Sequence, residues 1–275
     1  MASVRENREF WDRDYDWAQE GHEWSVAWGG ADMQWFGTIL PRLHMYVPTG
    51  TILEIAPGFG RWTTCLKDLC TRLLLVDLSK RCIEGCRKRF SSFNHIEYHV
   101  NDGYSLEMIP DQSIDLVFSF DSLVHAERDV MEAYVSQIAS KLTRDGVAFI
   151  HHSNIGKYRF YFRFWERDFL PRKLVDYLKR KNIVEPTDHW RAFSMTGKAM
   201  EKMIKKAGLF CISQEYINWG TRPSHLIDCI TVFARPDSMW QEKTEGLENR
   251  DFMKEAHHLR RLGRLYGQKG LKGKG

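Results

Sequence analysis

The sequence predicts an α/β fold: a doubly wound, mostly parallel sheet of seven strands with an antiparallel hairpin at its edge. Three observations predict it. Short apolar runs alternate with amphipathic helical stretches five times before Ile155. The run RLLLV at 72–76 is continuously apolar, as expected of a strand buried on both faces. Near the end, Cys211–Trp219 and Leu226–Phe233 read as two consecutive strands with no helix between them, which makes a hairpin.

The elements follow in order. Residues 1–47 read as a helical, polar-aromatic cap that holds Trp11, Trp17, Trp24, Trp28 and Trp35. The break Pro48-Thr49-Gly50 precedes a strand at Thr51–Ala56, and a helix over 61–70 opens after the glycine turn. A strand at Arg72–Val76 leads to a helix at Lys80–Phe90, with Ser79 as its N-cap. Strands follow at Ile96–Val100 and Ile114–Phe120. An amphipathic helix at Val130–Leu142 is expected to end at Arg144-Asp145-Gly146, before a strand at Val147–His151. Residues 156–193 break the rhythm and read as an inserted helical lid. Between 157 and 181 they carry nine Lys/Arg against three acids, interleaved with aromatics. Met195–Gly208 reads as a helix with Ser194 or Thr196 near its cap, so 194–236 is the last helix and hairpin of the core. Residues 237–275 hold one more helix near 247–266 and a basic tail.

Composition bounds the function. A chain of 275 residues with 43% hydrophobic content has enough material for one medium core with an insertion. Net charge is +4, and residues from 241 onward supply all of it, with nine Lys/Arg against five acids. The body is therefore neutral, which argues against a nucleic-acid partner. The charged start MASVRENREFWDRDYDW has no apolar h-region, and no apolar run reaches membrane-spanning length. The six Cys sit in apolar or helical stretches without a completing metal set, as buried thiols of a cytoplasmic enzyme would.

The segment ILEIAPGFG at 52–60 carries the first chemical signal. It is a strand running into a glycine turn. The dinucleotide pattern G-x-G-x-x-G fails because Thr63 stands where the third glycine belongs, and the Lys-Ser/Thr of a phosphate loop is missing. The pattern E-x-A-P-G-x-G instead resembles motif I of class I S-adenosylmethionine (SAM)-dependent methyltransferases, D/E-x-G-x-G-x-G, with Ala56 in place of the first glycine. Asp77 ends the second strand, Asn101-Asp102-Gly103 ends the third, and Asp115 opens the fourth in IDLVFSFDSL, in the order of that family. The resemblance covers about 50–152 and the closing 195–234, and it implies a Rossmann-like, SAM-binding core over 48–155. It implies cofactor contacts at Glu54, Ala56, Gly58, Gly60, Asp77, Leu78, Asp102, Gly103 and Phe120. Asp77 is expected on the ribose hydroxyls and Asp102 near the adenine amine. Glu54, a carboxylate inside an apolar strand, needs a partner.

In such a fold the acceptor lies at the carboxyl ends of strands four and five, where the chain reads FSFDSLVHAE and FIHHSNIG. Asp121, His125, His151 and His152 gather there. An imidazole can take a hydroxyl proton near neutrality, so His125 or His152 is the expected general base, with Asp121 as an orienting acid. Strand alternation lets only one of His151 and His152 face the site. The expected activity is O-methylation of a small molecule, with a sugar of a glycan or glycoside favoured. N-methylation of an amino sugar or small amine stays open, as do a Mg²⁺-assisted variant, peripheral membrane contact of the lid, and a non-catalytic partner-binding role. A nucleic-acid base methyltransferase is disfavoured because FSFD replaces the N-P-P-[YF] signature.

Overall fold

The computed structural model describes residues 3–165, 171, 173, 174, 177, 178, 181, 190–219, 224–241 and 245–267. The N-terminal part holds short helices, α1 (Val4–Glu9), α2 (Ala31–Gln34) and α3 (Leu40–Leu43), joined by tighter and wider helical turns. Then come β1 (Thr49–Ile55), α4 (Thr63–Leu66), β2 (Cys70–Asp77), α5 (Lys80–Arg89), β3 (Ile96–Val100), β4 (Ile114–Ser119), α6 (Arg128–Lys141) and β5 (Leu142–Ser153). After α7 (Arg159–Trp165) the chain continues with α8 (Gly197–Lys206), β6 (Phe210–Ile217), β7 (Asp228–Ala234), β8 (Glu245–Asn249) and α9 (Phe252–Gly267).

The strands form one sheet in the order β3-β2-β1-β4-β5-β7-β6-β8. The first five are mutually parallel, β7 runs antiparallel to β5 and β6, and β8 pairs parallel with β6. The strand order reverses between β1 and β4, which is where an open α/β sheet leaves a crevice for a ligand.

Three expectations change. The hairpin does not form the edge, because β8 covers β6. The segment EGLEN offers one apolar residue, Leu247, which is exposed, so no burial pattern marks it as a strand. The helix after the glycine turn is only α4, because β2 already begins at Cys70. Arg144-Asp145-Gly146 lies inside β5 rather than at a helix stop. Gly146 is needed there for a close approach: a Cβ on it would sit 2.5 Å from the Ile114 carbonyl, where the β4–β5 register slips. Ser79 and Thr196 do cap α5 and α8, accepting the N–H of Cys82 and Ala199.

Each face of the sheet has its own core. Leu53, Ile55, Leu74 and Val117 pack with Ile138 of α6 and Met203 of α8. On the other face Ile52, Leu75, Phe118 and Phe149 pack with Trp28, Trp35 and Phe252, so the chain's first and last segments share a core. Each such side chain, fully buried, contributes about 1.5–3 kcal/mol relative to exposure. Arg42 of α3 clamps that layer, pairing bidentately with Glu215 of β6 at 2.6 and 2.7 Å and reaching Glu255 of α9 at 3.2 Å. Of the expected lid, α7 is anchored by Phe162, which is buried with Ile155 and Ile227. Most of 166–189, and the tail beyond 267, lie outside the described residues.

Candidate active site

A cavity of about 150 Å³ opens at the carboxyl ends of the central strands. Its floor is the glycine turn after β1 and the residues after β2 and β4. Its roof comes from Val4, Asn7, Trp11, Trp17 and Trp24 of the N-terminal segment.

The glycine turn shapes one half. Ala56 has φ +57° and Gly58 φ +58°, so both take the left-handed conformation that turns the chain out of β1. Ala56 holds a conformation natural to glycine at a cost of about 1–2 kcal/mol. Gly58 must lack a side chain, because a Cβ would come 2.9 Å from Trp17, whose indole also stacks on Phe59 at 4.7 Å. Gly60, at φ +82°, faces α5 instead: its Cβ would strike Phe90 at 2.4 Å. It is a packing glycine outside the cavity wall.

Asp77 lines the cavity beside Leu78. Its carboxylate accepts the Ser79 N–H at 2.8 Å and the Gly58 N–H at 3.1 Å, which ties the end of β2 to the glycine turn. Burial pushes its pKa up to about 7. Glu54 lies one layer below, outside the cavity lining. It accepts the Thr63 hydroxyl at 2.5 Å, and burial pushes its pKa up to about 8. Its partner is therefore Thr63, at the start of α4.

Asp102 does not enter the cavity. Its Oδ1 accepts the N–H groups of Tyr104 and Ser105, which lowers its pKa and makes it a turn residue. Gly103, at φ +92°, does line the wall. The side chain that secures this wall is Asn101, which accepts the Gly103 N–H and donates to the Tyr134 hydroxyl, both at 3.0 Å. Phe120 is buried beneath the cavity against His151 and Trp62.

The other half holds the polar chemistry. Asp121, left-handed at φ +66°, pairs with Arg61 at 2.8 Å, and Arg61 lies 4.4 Å over the Trp62 ring. His125 lines the cavity in the turn after β4, against the Trp11 ring at 5.8 Å. Its Nδ1 contacts the Trp190 carbonyl. A carbonyl only accepts, so Nδ1 carries the proton, and Nε2 of the neutral ring is a bare acceptor. Burial lowers the His125 pKa, which keeps the ring neutral at physiological pH.

The two strand-end histidines point apart, as alternation requires. His152 is fully buried on the α8 side, with Nε2 2.7 Å from the Thr231 hydroxyl and its pKa pushed down to about 4 by burial. It lies outside the cavity, and its proton affinity is too low for a base near neutrality. His151 is buried on the other side against Phe120 and Trp219, beneath the lining rather than in it. Its Nδ1 accepts the Asp121 N–H at 3.1 Å, so its proton sits on Nε2, 3.4 Å from Asp228 Oδ2. Among the described residues no group of three His, Cys, Asp or Glu could hold a metal, and the Asp121 carboxylate is engaged by Arg61. The Mg²⁺ variant has no ligand set here.

Sequence reasoning missed Arg61, Arg191, Asp228 and Asp12. Arg191 lines the cavity and forks onto Asp228 at 2.7 and 2.8 Å. Asp12 accepts the Ser79 hydroxyl and the Arg81 N–H, strapping the N-terminal segment to α5. Two signals were present: Arg61 directly after the last glycine of the turn, and Asp228 as a lone carboxylate opening an apolar strand.

Residues 52–146 match the family model of a methyltransferase domain. No curated protein sequence matches the chain. Among solved structures, a SAM-dependent methyltransferase from Leishmania major is 11% identical, with a TM-score of 0.56 over 84% of this chain and 82% of that one. The PH0226 protein from Pyrococcus horikoshii OT3 is 20% identical, with a TM-score of 0.52 over 72% and 88%. DhpI, solved as a complex with SAH, is 16% identical, with a TM-score of 0.50 over 84% and 94%. At these identities the likeness is one of fold. Residues 52–146 thus match a methyltransferase domain, and the chain shares the fold of a SAM-dependent methyltransferase.

Proposed function

We propose that the protein transfers a methyl group from SAM to a hydroxyl of a small molecule, with His125 as the general base. The observation that carries this reading is the bare Nε2 of a neutral, cavity-lining His125, set across one cavity from Asp77 and the glycine turn.

The chain's groups fit SAM on one half. Asp77 keeps lone pairs for two ribose hydroxyls after accepting two backbone N–H groups. Ala56, Gly58 and Gly103 bring backbone to the cavity surface. SAM itself supplies an electrophilic methyl group. Ala56 adopts the left-handed backbone a glycine would take, which supports a working turn over a closed, non-catalytic one.

On the other half, His125 Nε2 accepts the acceptor's hydroxyl proton as the oxygen attacks. The Trp190 carbonyl then stabilises the ring's Nδ1–H. Trp11, Trp24 and Trp219 line the walls, exclude water and offer faces on which a sugar ring stacks. The Asp121–Arg61 pair presents polar edges that orient hydroxyls. The N-terminal 1–47 acts as the cap of the site. An amine acceptor would need less of a base and leaves the His125 arrangement without a task.

The test is methyl transfer from methyl-labelled SAM to a panel of sugars, glycosides and other hydroxylated compounds. Labelled product with the protein, and at least hundredfold less with His125→Gln, is the expected result. Transfer only to amines, at the same rate in His125→Gln, would overturn it.

A further inference from the structure

Asp228 is the most deeply buried carboxylate outside the cavity wall, at 0% exposed, and the proposed chemistry gives it no role. Burial alone would raise its pKa. Arg191 and His151 outweigh burial and hold the carboxyl well below the usual range, so it is an anion inside the protein. An anion placed there has consequences on both sides of the acceptor half.

One oxygen pair grips Arg191, at 2.7 and 2.8 Å. The residue before Arg191 is Trp190, whose backbone is left-handed at φ +50° and whose carbonyl meets His125 Nδ1. The same carboxylate also lies 3.4 Å from His151 Nε2, an electrostatic contact without hydrogen-bond geometry, and His151 Nδ1 accepts the N–H of Asp121. Asp121 begins the turn that carries His125. One buried carboxylate on β7 thus reaches the base twice: through the carbonyl that sets its tautomer, and through the backbone that carries it.

We infer that Asp228 is a positioning residue, which holds His125 in the Nδ1–H form through Arg191–Trp190 and through His151–Asp121. The inference rests on the reading of His125 as the base, but the tautomer can be observed without any acceptor.

The experiment is nitrogen NMR of histidine-labelled full-length protein saturated with SAH, comparing wild type, Asp228→Asn, Arg191→Lys and the double variant Asp228→Asn/Arg191→Met. Removing one partner strands a buried charge, and Asp228→Asn can unfold for that reason. The double variant removes both charges and is expected to stay folded. Wild type should show His125 protonated at Nδ1 only. The double variant, shown to be folded by its amide spectrum and a cooperative melting transition, should lose that preference and show both tautomers or mainly Nε2–H. Arg191→Lys, which keeps the charge but loses the fork, should lie between them. A folded double variant in which His125 keeps the pure Nδ1–H form overturns the inference. So does a wild type protonated at Nε2. Failure of the base reading would show elsewhere, as full turnover in His125→Gln.

Discussion

The two halves of the cavity treat buried carboxylates in opposite ways. In the acceptor half, Asp121 and Asp228 each face an arginine, Arg61 and Arg191, at 2.7–2.8 Å. In the cofactor half, Asp77 and Glu54 form no ion pair among the described residues. Burial dominates there and lifts their pKa values to about 7 and about 8. The acceptor half sets a cation against each of these carboxylates. The cofactor half leaves its carboxylates hydrogen-bonded but without a cation, and a ligand that brings hydrogen-bond donors to Asp77 would favour its ionised form. A carboxyl with a perturbed pKa on a cavity wall, as at Asp77, marks where a protein expects a ligand.

The sharpest way to break this comparison is to disable each half separately. His125→Gln should cut turnover by about 10²–10⁴-fold while SAH affinity stays within about twofold, measured by initial rates and calorimetry. Equal loss of both would mean that the halves are not separable. Asp77→Ala removes an acceptor of two expected hydrogen bonds to a charged group. It should weaken SAH binding by about 10²–10⁴-fold, since each of the two bonds contributes about 1.5–3 kcal/mol. Unchanged affinity would remove Asp77 from the ribose assignment.

The pH dependence of stability sharpens the contrast. Glu54 holds its proton more tightly folded than unfolded, because its folded pKa is about 8 against an ordinary 4.5. Its contribution is full below pH 4.5 and is lost as pH rises through about 8. Asp228 has the opposite sign. Its folded pKa lies below the ordinary 3.8, so its contribution is present above that pH and is lost as pH falls further. Melting temperature should therefore decline from pH 5 towards pH 8.5, and Glu54→Gln should flatten that decline. A variant that melts with the same pH slope would show that Glu54 is already ionised. The smallest expected effect is on the turn itself. Ala56→Gly relieves about 1–2 kcal/mol of left-handed strain and adds about 0.4–1 kcal/mol of unfolded-state entropy. The net should be a gain of about 0.5–1 kcal/mol, or a melting temperature about 1–3 °C higher.

The halves also differ in how legible they were. The strand-to-turn patterns ending at Asp77 and Gly58 are local, and the sheet follows from apolar runs that each need only a few residues to be seen. The acceptor half depends on pairs that sit 60 residues apart for Arg61–Asp121 and 37 apart for Arg191–Asp228. No local pattern joins such partners. Asp102 shows the limit within the legible half: an acid at a strand end reads the same whether it faces a ligand or caps its own turn. Alternation did separate His151 from His152, but not which of them faced the cavity side. β8 escaped notice because its one apolar residue, Leu247, is exposed, so only the free edge of β6 defines it.

The most direct test is calorimetric titration of the full-length protein and Asp77→Ala with SAM and SAH, at pH 7 in two buffers of different ionisation enthalpy. Binding in the micromolar range, proton release to the buffer on binding, and loss of both in Asp77→Ala are the expected results. A folded wild type that binds neither compound would contradict the assignment of this cavity to SAM.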